Sequence, residues 1–209
     1  MEGSAMGVYG RFVLPRLLAL AMRHRELVPF RQRVGRAASG RVLELGIGSG
    51  LNLSFYGPDV TSVIGIDPSP ALLRMTEARS RSVRFPVDLV EAAGERLLLD
   101  DHSVDTVVTT WTMCSVGDPV AALREARRIL RPGGRLLFVE HGRAPDPGVV
   151  WWQDRLTPAW RRVAGGCHLN RPIDDLVRAA GFQLDGLQTG YLPGPKPMTF
   201  MYEGQARRG

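Results

Sequence analysis

The stretch Val42-Leu43-Glu44-Leu45-Gly46-Ile47-Gly48-Ser49-Gly50 constrains this chain more than any other. An apolar run ends in an acid and then passes through alternate glycines, as a buried strand does when it turns sharply into the next element. Gly46 makes the tight turn, and Gly48 and Gly50 let the backbone approach a ligand with no Cβ in the way. Asp67 closes the next apolar run, residues 60–66. A carboxylate at the tip of a second strand accepts hydrogen bonds from a ribose diol. Together these features predict an adenosine-containing cofactor.

The glycine spacing disfavours a pyrophosphate ligand. The dinucleotide fingerprint G-x-G-x-x-G needs glycine or alanine at its last position for close helix–strand packing, and Leu51 stands there. A phosphate-binding loop needs Lys-Ser or Lys-Thr after its glycines, and none follows.

The chain alternates strand and helix from residue 41 onward. Strands are expected near 41–46, 60–66, 84–90, 104–110 and 135–140, and helices near 50–56, 70–80 and 118–130. Ser69-Pro70 is a helix start, and Arg131-Pro132-Gly133-Gly134 is a stop. The alternation then breaks. A Trp-rich helix is expected over 147–163 and another over 172–180. Two strands, near 182–192 and 198–207, follow with no helix between them. The intervening Pro193-Gly194-Pro195-Lys196-Pro197 permits only an antiparallel pair. The expected fold is α/β: a Rossmann-like, doubly wound, mostly parallel seven-stranded sheet with a C-terminal antiparallel strand pair and an N-terminal helical cap. The cap is assigned to residues 1–39 and the cofactor-binding domain to 40–209.

The pattern Glu44-x-Gly46-x-Gly48-x-Gly50 resembles motif I of the class I S-adenosylmethionine (SAM) methyltransferases. Val104-Asp105-Thr106-Val107-Val108 is similar to that family's fourth strand, and Leu130-Arg131-Pro132-Gly133-Gly134-Arg135-Leu136 to its turn into the fifth. The resemblance implies SAM as cofactor, S-adenosylhomocysteine as product and a small-molecule methyl acceptor. It implies Glu44, Gly46, Gly48, Gly50, Asn52, Asp67, Pro68, Thr110 and Trp111 as cofactor contacts. Many relatives carry an adenine-binding aspartate between strands three and four. Here Ala93 takes that position, which leaves Ala93, Gly94 and Glu95 as the candidate contacts.

A narrower resemblance lies in Thr110-Trp111-Thr112-Met113-Cys114-Ser115-Val116, Val139-Glu140-His141 and Gly165-Gly166-Cys167-His168-Leu169-Asn170-Arg171. These blocks, in this order, are similar to the methyltransferase-like-7 group, which includes alkyl-thiol S-methyltransferases. The animal members' N-terminal membrane anchor has no counterpart in this sequence. The resemblance points to S-methylation of a thiol. The alternatives are N-methylation of a phospholipid head group, O- or C-methylation of a natural product or quinone precursor, and a SAM-binding regulatory domain without catalysis.

Methyl transfer from a sulfonium asks mainly for alignment of the nucleophile. A thiol, with an ordinary pKa of about 8.5, needs only a weak base. His141, just past strand five, is the candidate base, and Glu140 is a candidate to hold its tautomer or to bind substrate. Trp111, Cys167, His168, Asn170 and Arg171 are candidate substrate contacts. Trp151, Trp152 and Trp160 are assigned to a helix core before an apolar pocket.

Residues 11–36 read as a basic helix with Leu14, Leu17, Leu18, Ala21 and Met22 on one face. Three readings stand: ordinary packing, a lid over the acceptor site, and contact with a membrane surface. The net charge is +6, and Lys196 is the one lysine among 27 basic residues. The arginines are spread along the chain with no aromatic–basic motif, so nucleic acid is not an expected partner. Cys114 and Cys167 form no metal-ligand spacing, so no metal site is expected. They read as buried thiols of a cytoplasmic protein. The apolar run at 12–22 is too short to span a bilayer, and no signal-peptide cleavage site follows it. The sequence does not set the oligomeric state.

Overall fold

A computed structural model of the chain describes residues 13–209. The first twelve residues of the expected cap, with the first two of its helix, lie outside the described residues.

The sheet has seven strands: β1 Gly40–Leu45, β2 Val60–Asp67, β3 Val87–Glu91, β4 Val104–Thr110, β5 Leu130–His141, β6 Phe182–Tyr191 and β7 Phe200–Arg208. Their order is β3-β2-β1-β4-β5-β7-β6. The first five are parallel, and β7 runs antiparallel between β5 and β6. The expected fold class is therefore the observed one. The strand order reverses between β1 and β4, and the crevice outside the carboxyl ends of strands at such a point is where open α/β sheets take ligands.

The central strands are apolar on both faces because helices cover both. On one face Leu43, Leu45, Ile66, Val107 and Phe138 pack with Leu123, Ala126 and Ile129 of α4 (Pro119–Ile129) and with Ile173 and Val177 of α6 (Ile173–Ala179). On the other, Val42, Val63, Val108, Leu137 and Val139 pack with Val34 and Ala38 at the end of α2 (Val28–Ala37). Helix α3 (Pro70–Ser80) starts as its sequence directs: Pro70 opens it, and the Ser69 hydroxyl accepts from the Leu72 amide at 3.4 Å. Asp118 caps α4 in the same way at 2.9 Å.

Several sequence expectations change in detail. The helix expected at 50–56 is a single 3-10 turn, Leu53–Phe55. Helix α2 takes its place on the sheet face, so close that a Cβ on Gly35 would lie 2.2 Å from the Phe55 carbonyl oxygen. The single helix expected over 11–36 is two, α1 (Leu14–Ala21) and α2, joined through Met22–His24 and a 3-10 turn at Arg25–Leu27. Pro29 explains the break, since a proline without an N–H belongs in a first helical turn. Strand β3 begins at Val87, just after Pro86, three residues later than expected. Strand β5 begins at Leu130 and carries the expected stop within it. The Trp-rich helix α5 spans Pro147–Val163, and a one-turn helix α7 (Lys196–Thr199) sits in the β6–β7 connection. Among the described residues, no helix is long and apolar enough to cross a membrane.

Candidate active site

The loop leaving β1 forms the floor of the crevice. Gly46, Gly48 and Gly50 all have positive φ, +67°, +58° and +73°. A Cβ on Gly46 would meet the Thr112 side chain at 2.2 Å, whereas one on Gly48 would meet nothing nearer than the Gly46 carbonyl oxygen at 3.8 Å. The first glycine thus fits one loop against another, and the second leaves backbone facing the cavity. Asp67, at the tip of β2, secures this loop. Its carboxylate accepts from the Gly48 amide at 3.0 Å and the Ser69 amide at 2.8 Å. Burial pushes the Asp67 carboxyl above the usual range, and these two amides pull it back. Each oxygen keeps acceptor capacity for a ligand hydroxyl.

Two chambers open around this loop. The smaller, about 200 Å³, lies between the ends of β1, β2 and β4 and is lined by Ala92, Ala93, Gly94, Glu95 and Met113 among others. The larger, about 650 Å³, runs from Gly46–Ser49 and Asp67 past Trp111 to Cys114, His141 and Cys167. Gly46, Pro68, Thr112, Ser115 and Val116 line both. The wall of the larger chamber is mostly apolar, with Leu14, Leu18 and Leu27 from the N-terminal helices, Trp160 from α5, and Leu192 and Met198 from the β6–β7 connection.

The polar end of the larger chamber is a buried network. Glu44 accepts from the Tyr56 hydroxyl at 2.7 Å and from Asn52 Nδ2 at 2.7 Å. Asn52 Nδ2 also reaches Thr110 at 3.0 Å, and its Oδ1 accepts from Arg31 at 2.6 Å. The Arg31 guanidinium donates to the Met22 carbonyl and lies 4.6 Å over the Trp111 ring. Burial pushes the Glu44 carboxyl up to about 7, against the pull of Tyr56, Asn52 and Arg31. Burial also lowers Arg31 to about 10, so it stays charged at neutral pH.

Beyond Trp111, the loop after β4 is fixed by Glu140. Its buried carboxylate accepts from the Thr109 hydroxyl at 2.8 Å and from the Thr112 and Met113 amides at 3.1 Å. Arg171 holds the same loop by donating to the Met113 and Val116 carbonyls. The loop delivers Cys114, β5 ends on His141, and the turn after α5, with Gly165 and Gly166 at φ +62° and +86°, delivers Cys167. The three donor atoms lie within 4.8 Å of one another, and His141 Nδ1 is 3.9 Å from Cys167 Sγ. The closeness of the two sulfurs pushes the Cys114 thiol up and the Cys167 thiol down.

Most of the cofactor contacts expected from sequence come together here: Glu44, Gly46, Gly48, Asp67, Pro68, Thr110 and Trp111 line the larger chamber, and Ala93, Gly94 and Glu95 the smaller. Asn52 stands behind Glu44, and Gly50 packs against Thr76. Cys167, Trp111 and His141 all line the larger chamber, whereas Glu140 does not turn toward His141, because neighbouring strand residues point to opposite faces. His168 and Arg171 bond the β4 loop, and Asn170 bonds Asp154 at 2.7 Å, so none of the three lines either chamber. Trp151 and Trp152 are exposed and stack edge to face, contrary to the expected helix core, and Trp160 alone faces the cavity. Sequence reasoning missed Arg31, Tyr56 and Cys114. The one signal available for Cys114 was its place just after the end of β4.

A glycine turn and a strand-tip acid at the switch point of this sheet define a nucleoside-cofactor-binding fold. Residues 43–138 match the methyltransferase-domain family. The chain is 38% identical over 175 residues to human thiol S-methyltransferase TMT1A, covering 81% of this chain and 71% of that protein. It is 36% identical over 159 residues to rat thiol S-methyltransferase TMT1B, covering 74% of this chain and 64% of the rat protein. The match to human TMT1B spans 57% of that protein, so the chain spans less than two thirds of these TMT1B relatives. A SAM-dependent methyltransferase of Thermotoga maritima shares the fold at a TM-score of 0.69, with 24% identity over 98% of this chain and 99% of that one. This chain belongs to the SAM-dependent methyltransferases, and the family's methyl donor is S-adenosylmethionine.

The residues present fit that donor. Asp67 has free acceptor capacity for a ribose, Glu44 places a buried carboxyl beside the glycine loop, and Gly48 presents bare backbone to the larger chamber.

Proposed function

We propose that the chain transfers a methyl group from SAM to the sulfur of a small, apolar thiol. The observation that carries this reading is the single larger chamber. It joins the glycine loop and Asp67 at one end to Cys114, His141 and Cys167 at the other through an apolar wall. The names of the TMT1A and TMT1B relatives support the same choice of acceptor atom.

When bound, SAM supplies an activated methyl on a sulfonium. The chain's part is to hold and align. Asp67 would take the ribose hydroxyls, and Ala93, Gly94 and Glu95 of the smaller chamber would hold the adenine. Glu44 would receive the methionine ammonium, and Arg31, carried in by α2, would pair with its carboxylate. Trp111 borders the methyl, and the apolar wall excludes water from the acceptor. Residues 14–31 form one side of that wall, so the N-terminal helices act as a cover over the acceptor chamber.

The test is methyl transfer from isotopically labelled SAM to a panel of apolar thiols, amines and phenols, read by mass spectrometry. Thioethers are the expected products. Transfer to amines or phenols, with none to any thiol, overturns the reading.

A further inference from the structure

We propose that Cys114, His141 and Cys167 bind a zinc-class divalent cation whose one free coordination position opens into the larger chamber and takes the sulfur of the acceptor. The cation site stands on its own geometry; the role given to its free position rests on the thiol-transfer reading.

The donor set comes first. Two thiols and one imidazole are the ligands a borderline-soft divalent ion selects, and three protein ligands with an open fourth position is the arrangement of catalytic zinc. Zinc bonds of about 2.3 Å to sulfur and about 2.0 Å to nitrogen place neighbouring donors roughly 3.5–3.8 Å apart. His141 Nδ1 and Cys167 Sγ are already 3.9 Å apart, and the whole set lies within 4.8 Å. Closing on an ion needs movements of about 1 Å.

The donors are also held in place by bonds that do not use them. The Cys114 carbonyl accepts from the His168 amide at 2.7 Å, and Glu140 and Arg171 fix the residues on either side. His141 ends a strand paired to Met201 of β7.

A second observation points to a missing partner. Among the described residues, His141 Nε2 is the one buried side-chain nitrogen or oxygen with no hydrogen bond, and His141 is 7% exposed. No hydrogen bond at Nε2 fixes the ring, so a cation at Nδ1, the nitrogen facing Cys167 Sγ, is the partner that would orient it. The two thiols would lose their protons as the ion binds, and a divalent cation would neutralise both resulting thiolates. A general-base role for His141 accounts for neither cysteine.

The chemistry balances. The acceptor thiol displaces water from the cation and loses its proton to solvent. Its sulfur, as thiolate, forms a bond to the sulfonium methyl, and the breaking C–S bond leaves its electron pair on S-adenosylhomocysteine. The product thioether is neutral and a weaker ligand, so it departs.

The test uses the full chain, purified reduced and stripped of metal, and titrated with Zn²⁺ alone or Co²⁺ alone. One equivalent should bind, and Co²⁺ should give thiolate-to-metal charge-transfer absorption. An apolar thiol should shift the cobalt bands. Cys114→Ser, Cys167→Ser and His141→Asn should each lose the absorption while still binding S-adenosylhomocysteine, which shows that they fold. Stripped protein should lose thiol turnover and regain it with zinc. Metal binding no better than that of a Cys114→Ser/Cys167→Ser double variant overturns the site. Binding with no spectral response to any thiol overturns the role of the free position. Spectra as expected with no methyl transfer to any thiol leave the site supported and overturn the functional reading instead.

Discussion

Two buried glutamates stand at strand ends on the same rim of the sheet, and they are used in opposite ways. Glu44, closing in on the end of β1, takes its hydrogen bonds from the side chains of Tyr56 and Asn52. Glu140, at the end of β5, takes two of its three from main-chain amides of the β4 loop. Burial raises both, to about 7 and about 8. Glu44 lines the larger chamber and Glu140 lines neither. Side-chain partners can adjust when a charged ligand arrives, whereas main-chain partners fix a loop. One acid serves the cavity, and the other serves the wall that carries Trp111 and Cys114.

The largest expected effect tests the structural member of the pair. Glu140→Ala strands the Thr112 and Met113 amides and the Thr109 hydroxyl, and should cost about 3 kcal/mol of unfolding free energy in urea titrations. A loss no greater than that of Glu44→Gln would erase the distinction. Next, Asp67→Ala removes the partner of the Gly48 amide and of the ribose hydroxyls. Calorimetry should show S-adenosylhomocysteine weakened by roughly 1–3 kcal/mol, and unchanged affinity would remove Asp67 from the cofactor site. Gly48→Ala meets no steric obstacle but sits at φ +58°. It should cost about 1 kcal/mol in stability and lower cofactor affinity, because its methyl enters the chamber.

The smallest effect is a slope. Glu44 has a folded pKa of about 7 against an ordinary 4.5, so between those values the folded state binds more protons than the unfolded one. Stability from this group therefore falls as pH rises through that window. Glu44→Gln should flatten the dependence of melting temperature on pH between 4.5 and 7 relative to the parent chain. Parallel curves would place the raised pKa elsewhere.

The sheet and the glycine loop were legible in the sequence because they are local. A strand, a turn and a tip acid are written within one βα unit, and Gly46, Gly48 and Asp67 fall where that grammar puts them. Arg31 and Tyr56 were not legible, since they join the network around Asn52 and Glu44 from elements whose placement follows only from packing of α2 on the sheet. The 3-10 turn at Leu53–Phe55 has the same cause. Cys114, His141 and Cys167 come from the loop after β4, the end of β5 and the turn after α5, and a rule that reads spacing along the chain cannot see side chains gathered from three separate segments. The expected substrate contacts His168, Asn170 and Arg171 lie off both chambers for a related reason. Polar residues beside a cysteine suggest a substrate, yet here Arg171 and His168 satisfy carbonyls of the adjacent loop.

The residues shared between the two chambers bear on the order of events. Gly46, Pro68, Thr112, Ser115 and Val116 face both spaces, so a donor seated across them, as proposed, would become part of the wall against which the acceptor rests. On that placement the acceptor would find a finished surface only after the donor is seated, and the methylated product would clear the larger chamber before the spent donor leaves. Steady-state turnover should follow a compulsory order, donor first and spent donor last. S-adenosylhomocysteine should then compete with SAM and inhibit non-competitively against the acceptor.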